Sequence, residues 1–135
     1  MRRLTPKGRG ELAEIRFLLA AASRGLTVAK PWGDNLPFDF LVGRDGRYLR
    51  VQVKSTTQRL GATRFAVNCD RPGRKRAYTT REIDVLVAYV FPEDAWFVIP
   101  VRALGPIRRI SVSSRASSKG RFDRFHEAWH HLLRQ

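Results

Sequence analysis

The chain has one cysteine, Cys69, among 135 residues. A lone thiol excludes an internal disulfide framework, and with it a zinc ribbon or any other Cys-based finger. It fits a reducing compartment. Acidic side chains are scarce: 12 Asp and Glu stand against 26 Lys and Arg, a formal net charge of +14. Such a surface attracts polyanions, with nucleic acid the leading partner. Solubility alone does not call for so large an excess on so short a chain. An anionic membrane is the competing partner, but no long basic amphipathic helix is present to lie on one. Long apolar runs are missing too. The stretch "FLLAAA" is far too short to span a bilayer. The start "MRRLTPKGRG" is not followed by a signal-type apolar run with a cleavage site. The expectation is a soluble, cytoplasmic protein with no membrane partner. Internal repeats and low-complexity tracts are absent as well.

A hydrophobic fraction of 43% is that of a folded domain. The length suits one domain with one core. Apolar spacing predicts a helix from Glu11 to Arg24, with Leu12, Ile15, Phe17–Leu19 and Ala22 as its apolar face and Gly25 as its stop. Strands are expected at "LTVAKPW", on both sides of Asp45-Gly46, and at "RFAVNC". "IDVLVAYVF" is nearly all apolar and reads as a central strand covered on both faces. "AWFVIPV" should lie antiparallel to it, and "RRISVSS" at an edge. "DRPGRKR" is a basic loop and "SRASSKG" a flexible one. "RFDRFHEAWHHLLRQ" is expected to close the chain as an amphipathic helix. This order of elements indicates a mixed α/β layer.

The stretch "FDFLVGRDGRYLRVQVKS" combines packing with polarity. Asp45-Gly46 is a strong two-residue hairpin turn. It sets Arg44 against Arg47, and then Val42 against Leu49, Phe40 against Val51 and Phe38 against Val53. The other face takes Asp39 opposite Gln52, with Lys54 two residues further along. An acid, an amide and an amine thus meet within roughly 5–7 Å. Two readings fit that face. One is a salt bridge on a wet surface, worth under about 1 kcal/mol. The other is a site for a hydrated divalent cation, in which a lysine orients a water or steadies phosphate charge.

Asp39 followed by Gln52-Val53-Lys54 resembles the PD-(D/E)XK nuclease superfamily. Within it, the chain is most similar to the small Q-x-K group that includes intron-encoded homing endonucleases. "KGRGELAE", "RGLTVAKPWGDNLPFDFLV", "RVQVKST", "YTTREIDVLVAYV" and "WFVIPVRAL" carry the likeness, in order, from about residue 7 to about residue 104. The resemblance implies a single domain over residues 1–135 with a mixed central sheet flanked by helices, a restriction-endonuclease-like αβββαβ core, and a C-terminal helix. It implies Asp39 as the main metal ligand and Glu11 as a further one, with Glu14 as the alternative one turn along. Val53 would offer its carbonyl to the metal, and Lys54 would act on the attacking water. Gln52 stands where most of the superfamily has Asp or Glu; this removes a negative charge from the site. The implied cofactor is Mg²⁺, with Mn²⁺ as a substitute, and the implied reaction is hydrolysis of a DNA phosphodiester. Arg71, Arg74, Lys75 and Arg76 would hold the DNA backbone, assisted by Arg115, Lys119, Arg121 and Arg124. The DNA is double-stranded or branched. Cutting both strands of a duplex implies a homodimer or homotetramer.

A Holliday-junction resolvase would share this chemistry, and a DNA- or RNA-binding domain could keep the fold without it. "HEAWH" (126–130) also matches the zinc-protease pattern H-E-x-x-H. Only five residues follow it, too few for the usual third ligand, and Trp129, Leu132 and Leu133 continue an apolar face instead. Asp84 reads as a strand-entry acid or cap partner, with approach to the site as the alternative, and Trp32 as core or rim packing, with stacking on a base as the alternative.

Overall fold

A computed structural model describes residues 3–71 and 73–133. Pro72 of the expected basic loop and residues 134–135 of the expected terminal helix lie outside the described residues. Helix α1 (Pro6–Ser23) starts before Glu11. Thr5 caps it by accepting the Gly8 amide at 3.0 Å, and Pro6 occupies the first turn. Gly25, at φ 80°, ends it. Its buried stripe is Ala13, Phe17 and Ala21. Ile15, Leu18, Leu19 and Ala22, expected on the apolar face, are instead exposed.

Five strands form the main sheet: β1 (Thr27–Ala29), β2 (Phe40–Arg44), β3 (Arg47–Thr56), β5 (Val85–Val90) and β6 (Ala95–Pro100), in the order β1-β2-β3-β5-β6. Only the β3–β5 pair is parallel. The first strand is shorter than expected, and β5 is buried at every residue. A second sheet pairs β4 (Phe65–Asn68) with β7 (Arg109–Val112), so the expected edge strand has its own partner rather than the main sheet. The short helix α2 (Val101–Leu104) follows β6. On the α1 side of the sheet, Phe17 stacks on Phe40 (5.6 Å between ring centroids) and on Trp129 (6.1 Å), and meets Trp96 edge-on.

The C-terminal helix, α3 (His130–Leu133), is much shorter than expected. A 3₁₀ turn occupies Asp123–Phe125, and residues 126–127 run along the outer edge of β6. The Glu127 amide bonds the Trp96 carbonyl at 2.7 Å, and its carboxylate accepts the Trp96 amide and the Trp129 indole N–H. Glu127 sits at φ 51°, which interrupts a helix. His126 and His130 are therefore not one turn apart on a helix, the arrangement the zinc-protease pattern needs. The 114–120 loop, read as flexible, is tied down. Buried Asp123 accepts hydrogen bonds from Arg64, Ser118 and the Ser113 and Gly120 amides.

Among the described residues, no helix is long and apolar enough to cross a membrane.

Candidate active site

The Asp45-Gly46 turn sets the expected hairpin register: Arg44 pairs with Arg47, Val42 with Leu49 and Phe40 with Val51. Both turn residues have positive φ, 55° and 77°, as the tight turn demands. The register breaks at Asp39. Its amide bonds the Val51 carbonyl at 2.9 Å instead of facing Gln52. Its carboxylate then takes the Val53 amide, also at 2.9 Å. The side chain replaces a rung of the ladder, which fixes its direction.

That carboxylate is half-buried. Among the described residues it has no cation within salt-bridge distance, and the Val53 amide is its one hydrogen-bond donor. Burial pushes its pKa up to about 6; the negative charge of Glu14 adds to the rise, while the Val53 amide, Lys30 and Lys54 oppose it. Asp39 and Gln52 line one cleft of about 400 Å³ with Asp34, Arg71, Arg74 and Tyr78.

Lys54 reaches across the Tyr78 ring, its ammonium 5.6 Å from the ring centre, and donates to the Asp70 carbonyl at 2.9 Å. It lines an adjoining cleft, and Arg71 borders both. Burial lowers the Lys54 pKa, with the negative field of Asp39 among the opposing influences. Beneath it, burial raises the Cys69 thiol to about 12, so Cys69 is an inert packed thiol.

The two helix acids differ. Glu14 is half-buried, bonds Lys30 at 3.1 Å and acts electrostatically on Asp39. Glu11 is exposed and lines a shallow groove with Glu14. Asp84 lies outside the site, bound to the Arg50 side chain and amide. Trp32 is fully exposed, not packed.

The basic loop divides into two parts. Arg71 and Arg76 both bind Glu82, at 2.7 and 2.8 Å. Arg74 and Lys75 are exposed, and Lys75 adopts φ 48°. Of the C-terminal cations, Arg115, Lys119 and Arg124 border a separate groove with Ser113, Ser114 and His126, while Arg121 lies over the Phe122 ring.

Glu82 and Tyr78 were not anticipated. Glu82 carried a signal: "TTRE" is a T-x-x-E pattern, and Glu82 does accept both the Thr79 amide and hydroxyl. Tyr78 carried none, because its burial depends on how the 70–77 loop folds back: Asp70 bridges to Ala77, and the Arg71 amide bonds the Arg76 carbonyl.

A family model described as PD-(D/E)XK endonuclease matches residues 4–131. Among solved structures, the bacterial homing endonuclease I-Ssp6803I is similar at 28% identity and a TM-score of 0.82, over 97% of this chain and 93% of that one. Hjc, a Holliday junction resolvase from Archaeoglobus fulgidus, is similar at 17% identity and a TM-score of 0.49, over 78% of this chain and 84% of that one. No curated protein matches. With a family match over nearly its whole length, the chain belongs to the PD-(D/E)XK endonucleases, a family of metal-dependent nucleases.

Proposed function

We propose that the protein is a Mg²⁺-dependent, site-specific endonuclease of double-stranded DNA, of the homing type, with its centre at Asp39. The observation that carries this is the half-buried Asp39 carboxylate. It keeps a pKa near 6, has no cationic partner within salt-bridge distance among the described residues, and opens into a cleft bordered by Arg71 and Arg74. The likeness to a homing endonuclease along the whole chain supports the substrate class.

The donors suit a hard cation. Asp39, Glu14, the Gln52 amide oxygen and the Val53 carbonyl are all oxygens. Mg²⁺ takes few carboxylates and keeps waters and phosphate oxygens as its other ligands. Among the described residues no group of three or more His, Cys, Asp or Glu is placed to hold a metal ion, so waters and phosphate oxygens complete the shell in this proposal. Glu14 takes the helix-acid role in this proposal, since its negative charge acts on Asp39, with Glu11 one turn away as the alternative. When bound, the cation would stabilise negative charge on the reacting phosphate and lower the pKa of a water.

The chain's own residues do the rest. Asp39 holds its orientation through Val53. Lys54, anchored on the Asp70 carbonyl, presents an ammonium whose lowered pKa eases proton exchange with the attacking water. Arg71, held by Glu82, meets the phosphate as a fixed charge. One such site cuts one strand, so a symmetric homo-oligomer, dimer or tetramer, is part of the proposal; light scattering measures it.

The test uses purified protein with plasmid and with synthetic junction DNA, in Mg²⁺ or EDTA. Metal-dependent cutting that disappears in Asp39→Ala and Lys54→Ala is the expected result. Binding without cutting in any divalent metal would leave an inactive binding domain. Preferential cutting of the junction would make it a resolvase. Stoichiometric zinc lost on His126→Ala would overturn the proposal.

A further inference from the structure

Trp32 is 100% exposed, whereas the other two tryptophans, Trp96 and Trp129, are 6% and 5% exposed. A tryptophan is on average highly buried, and a ring left wholly in water forgoes a large apolar contact. Leu36, four residues on in the same loop, is 46% exposed as well. The pair makes this loop an apolar surface without a cover.

The position of Trp32 is fixed from both sides. Lys30, two residues before it, bonds Glu14 at 3.1 Å and lies 5.0 Å from the centre of the Phe40 ring. Asp34, two residues after it, lines the Asp39 cleft, as do Asn35, Leu36 and Pro37. Two residues span at most about 7 Å, so the Trp32 backbone lies within that reach of both. The indole therefore stands at the rim of the cleft. Between residues 31 and 37 there is no Lys or Arg, and Asp34 is the one charge. The cleft lining itself carries Asp34 and Asp39 as well as Arg71 and Arg74. This loop's contact with DNA is thus not one of charge. What it offers is a π face, and every base has a matching one. A protein partner seated on Trp32 would also cover the loop residues that line the cleft, and would obstruct the substrate's way in.

We propose that Trp32 is a DNA contact of this nuclease: its indole opens a base step beside the phosphate that enters the Asp39 cleft, and stacks on the base so exposed. The proposal rests on the nuclease reading for its substrate. It deepens that reading with a residue that senses how easily a step opens, which favours the flexible pyrimidine–purine steps at that position.

The test is tryptophan emission during titration with a mixed-sequence duplex in EDTA, where nothing is cut. Wild-type emission should be quenched as DNA binds, and bound DNA should shield the exposed indole from acrylamide. In Trp32→Ala the two buried tryptophans remain, so the emission should barely move. Affinity of that variant should fall on the order of tenfold, and Trp32→Phe, which keeps a smaller π face, should recover part of the loss. The melting midpoint of both variants should hold, because a bare ring packs on nothing. Quenching that persists in Trp32→Ala, or unchanged affinity, would overturn the proposal. So would a blue shift that grows with protein concentration in the absence of DNA and is lost in Trp32→Ala, since it would assign the ring to a second copy of the chain. Stationary emission from an enzyme that cuts would sink the contact and leave the nuclease reading intact. Quenching with no cutting by the wild type in any divalent metal would sustain the contact and sink the nuclease reading.

Discussion

Asp39 is ionised at neutral pH at a cost in stability. Its carboxyl has a pKa of about 6 in the folded chain against 3.8 in the unfolded one, chiefly through burial. Well below pH 3.8 both states are protonated and the group has no effect. Between those values the unfolded chain ionises first, so folding loses stability; above about 6 the loss is complete, at most about 3 kcal/mol. Asp39→Asn removes it. In EDTA the variant should therefore be the more stable protein at neutral pH, with the difference from wild type vanishing well below pH 3.8, as urea melts across that range would show. Equal stability at neutral pH would contradict the argument. The two other hairpin side chains should separate in kinetics. Lys54→Ala loses an ammonium held at a fixed position, whereas Gln52→Ala loses a neutral amide, so we expect the larger fall in single-turnover cutting from Lys54→Ala. An equal or greater fall from Gln52→Ala would make the amide an essential ligand.

At the scale of elements, the 70–82 segment depends on Glu82. Hydrogen bonds from Arg76, backed by those from Thr79, hold its carboxyl at about 2 against 4.5 unfolded. That stabilisation is complete above pH 4.5 and is lost as pH falls toward 2. Glu82→Gln should cost on the order of 1 kcal/mol at neutral pH, because it leaves two partly exposed arginines without their shared anion, and the difference from wild type should shrink in acid. Denaturant melts at both ends of the range measure this. The same segment shows what could be read in advance. The β2–β3 register was legible because Asp45-Gly46 and the apolar alternation are local. The slip at Asp39 was not, since it depends on a carboxylate finding the Val53 amide. The α1 face was misread because close approach to the sheet favours alanines around Phe17, so the larger Ile15, Leu18 and Leu19 were left outside. The terminal helix was overextended because the unpaired edge of β6, a non-local demand, claims residues 126–127.

For the whole molecule, the excess of basic charge should appear as salt dependence. A duplex held by several phosphate contacts loses affinity steeply as salt rises. Arg74 and Lys75 are exposed on the loop that borders the Asp39 and Lys54 clefts, so each change to alanine should flatten the plot of log affinity against log salt by about one unit. Neither change should alter sequence preference, because phosphate contacts position a duplex without reading it. An unchanged slope in both variants would place the DNA track elsewhere, with the Arg115, Lys119 and Arg124 groove next in line.

The strap formed by residues 126–127 has a consequence for how this protein fails. Beneath it lies β6, "AWFVIP", six residues with no charge and all but the last buried. Uncovered, that strand would present a row of free amides and carbonyls to any neighbour of the same kind, the starting condition for fibril growth. Glu127 thus acts as a guard: its carboxylate occupies the Trp96 amide, and a negative charge sits where a second strand would dock. Replacing Glu127 with alanine should shorten the lag before thioflavin fluorescence appears in gently heated protein, at temperatures where the main sheet still melts as one unit.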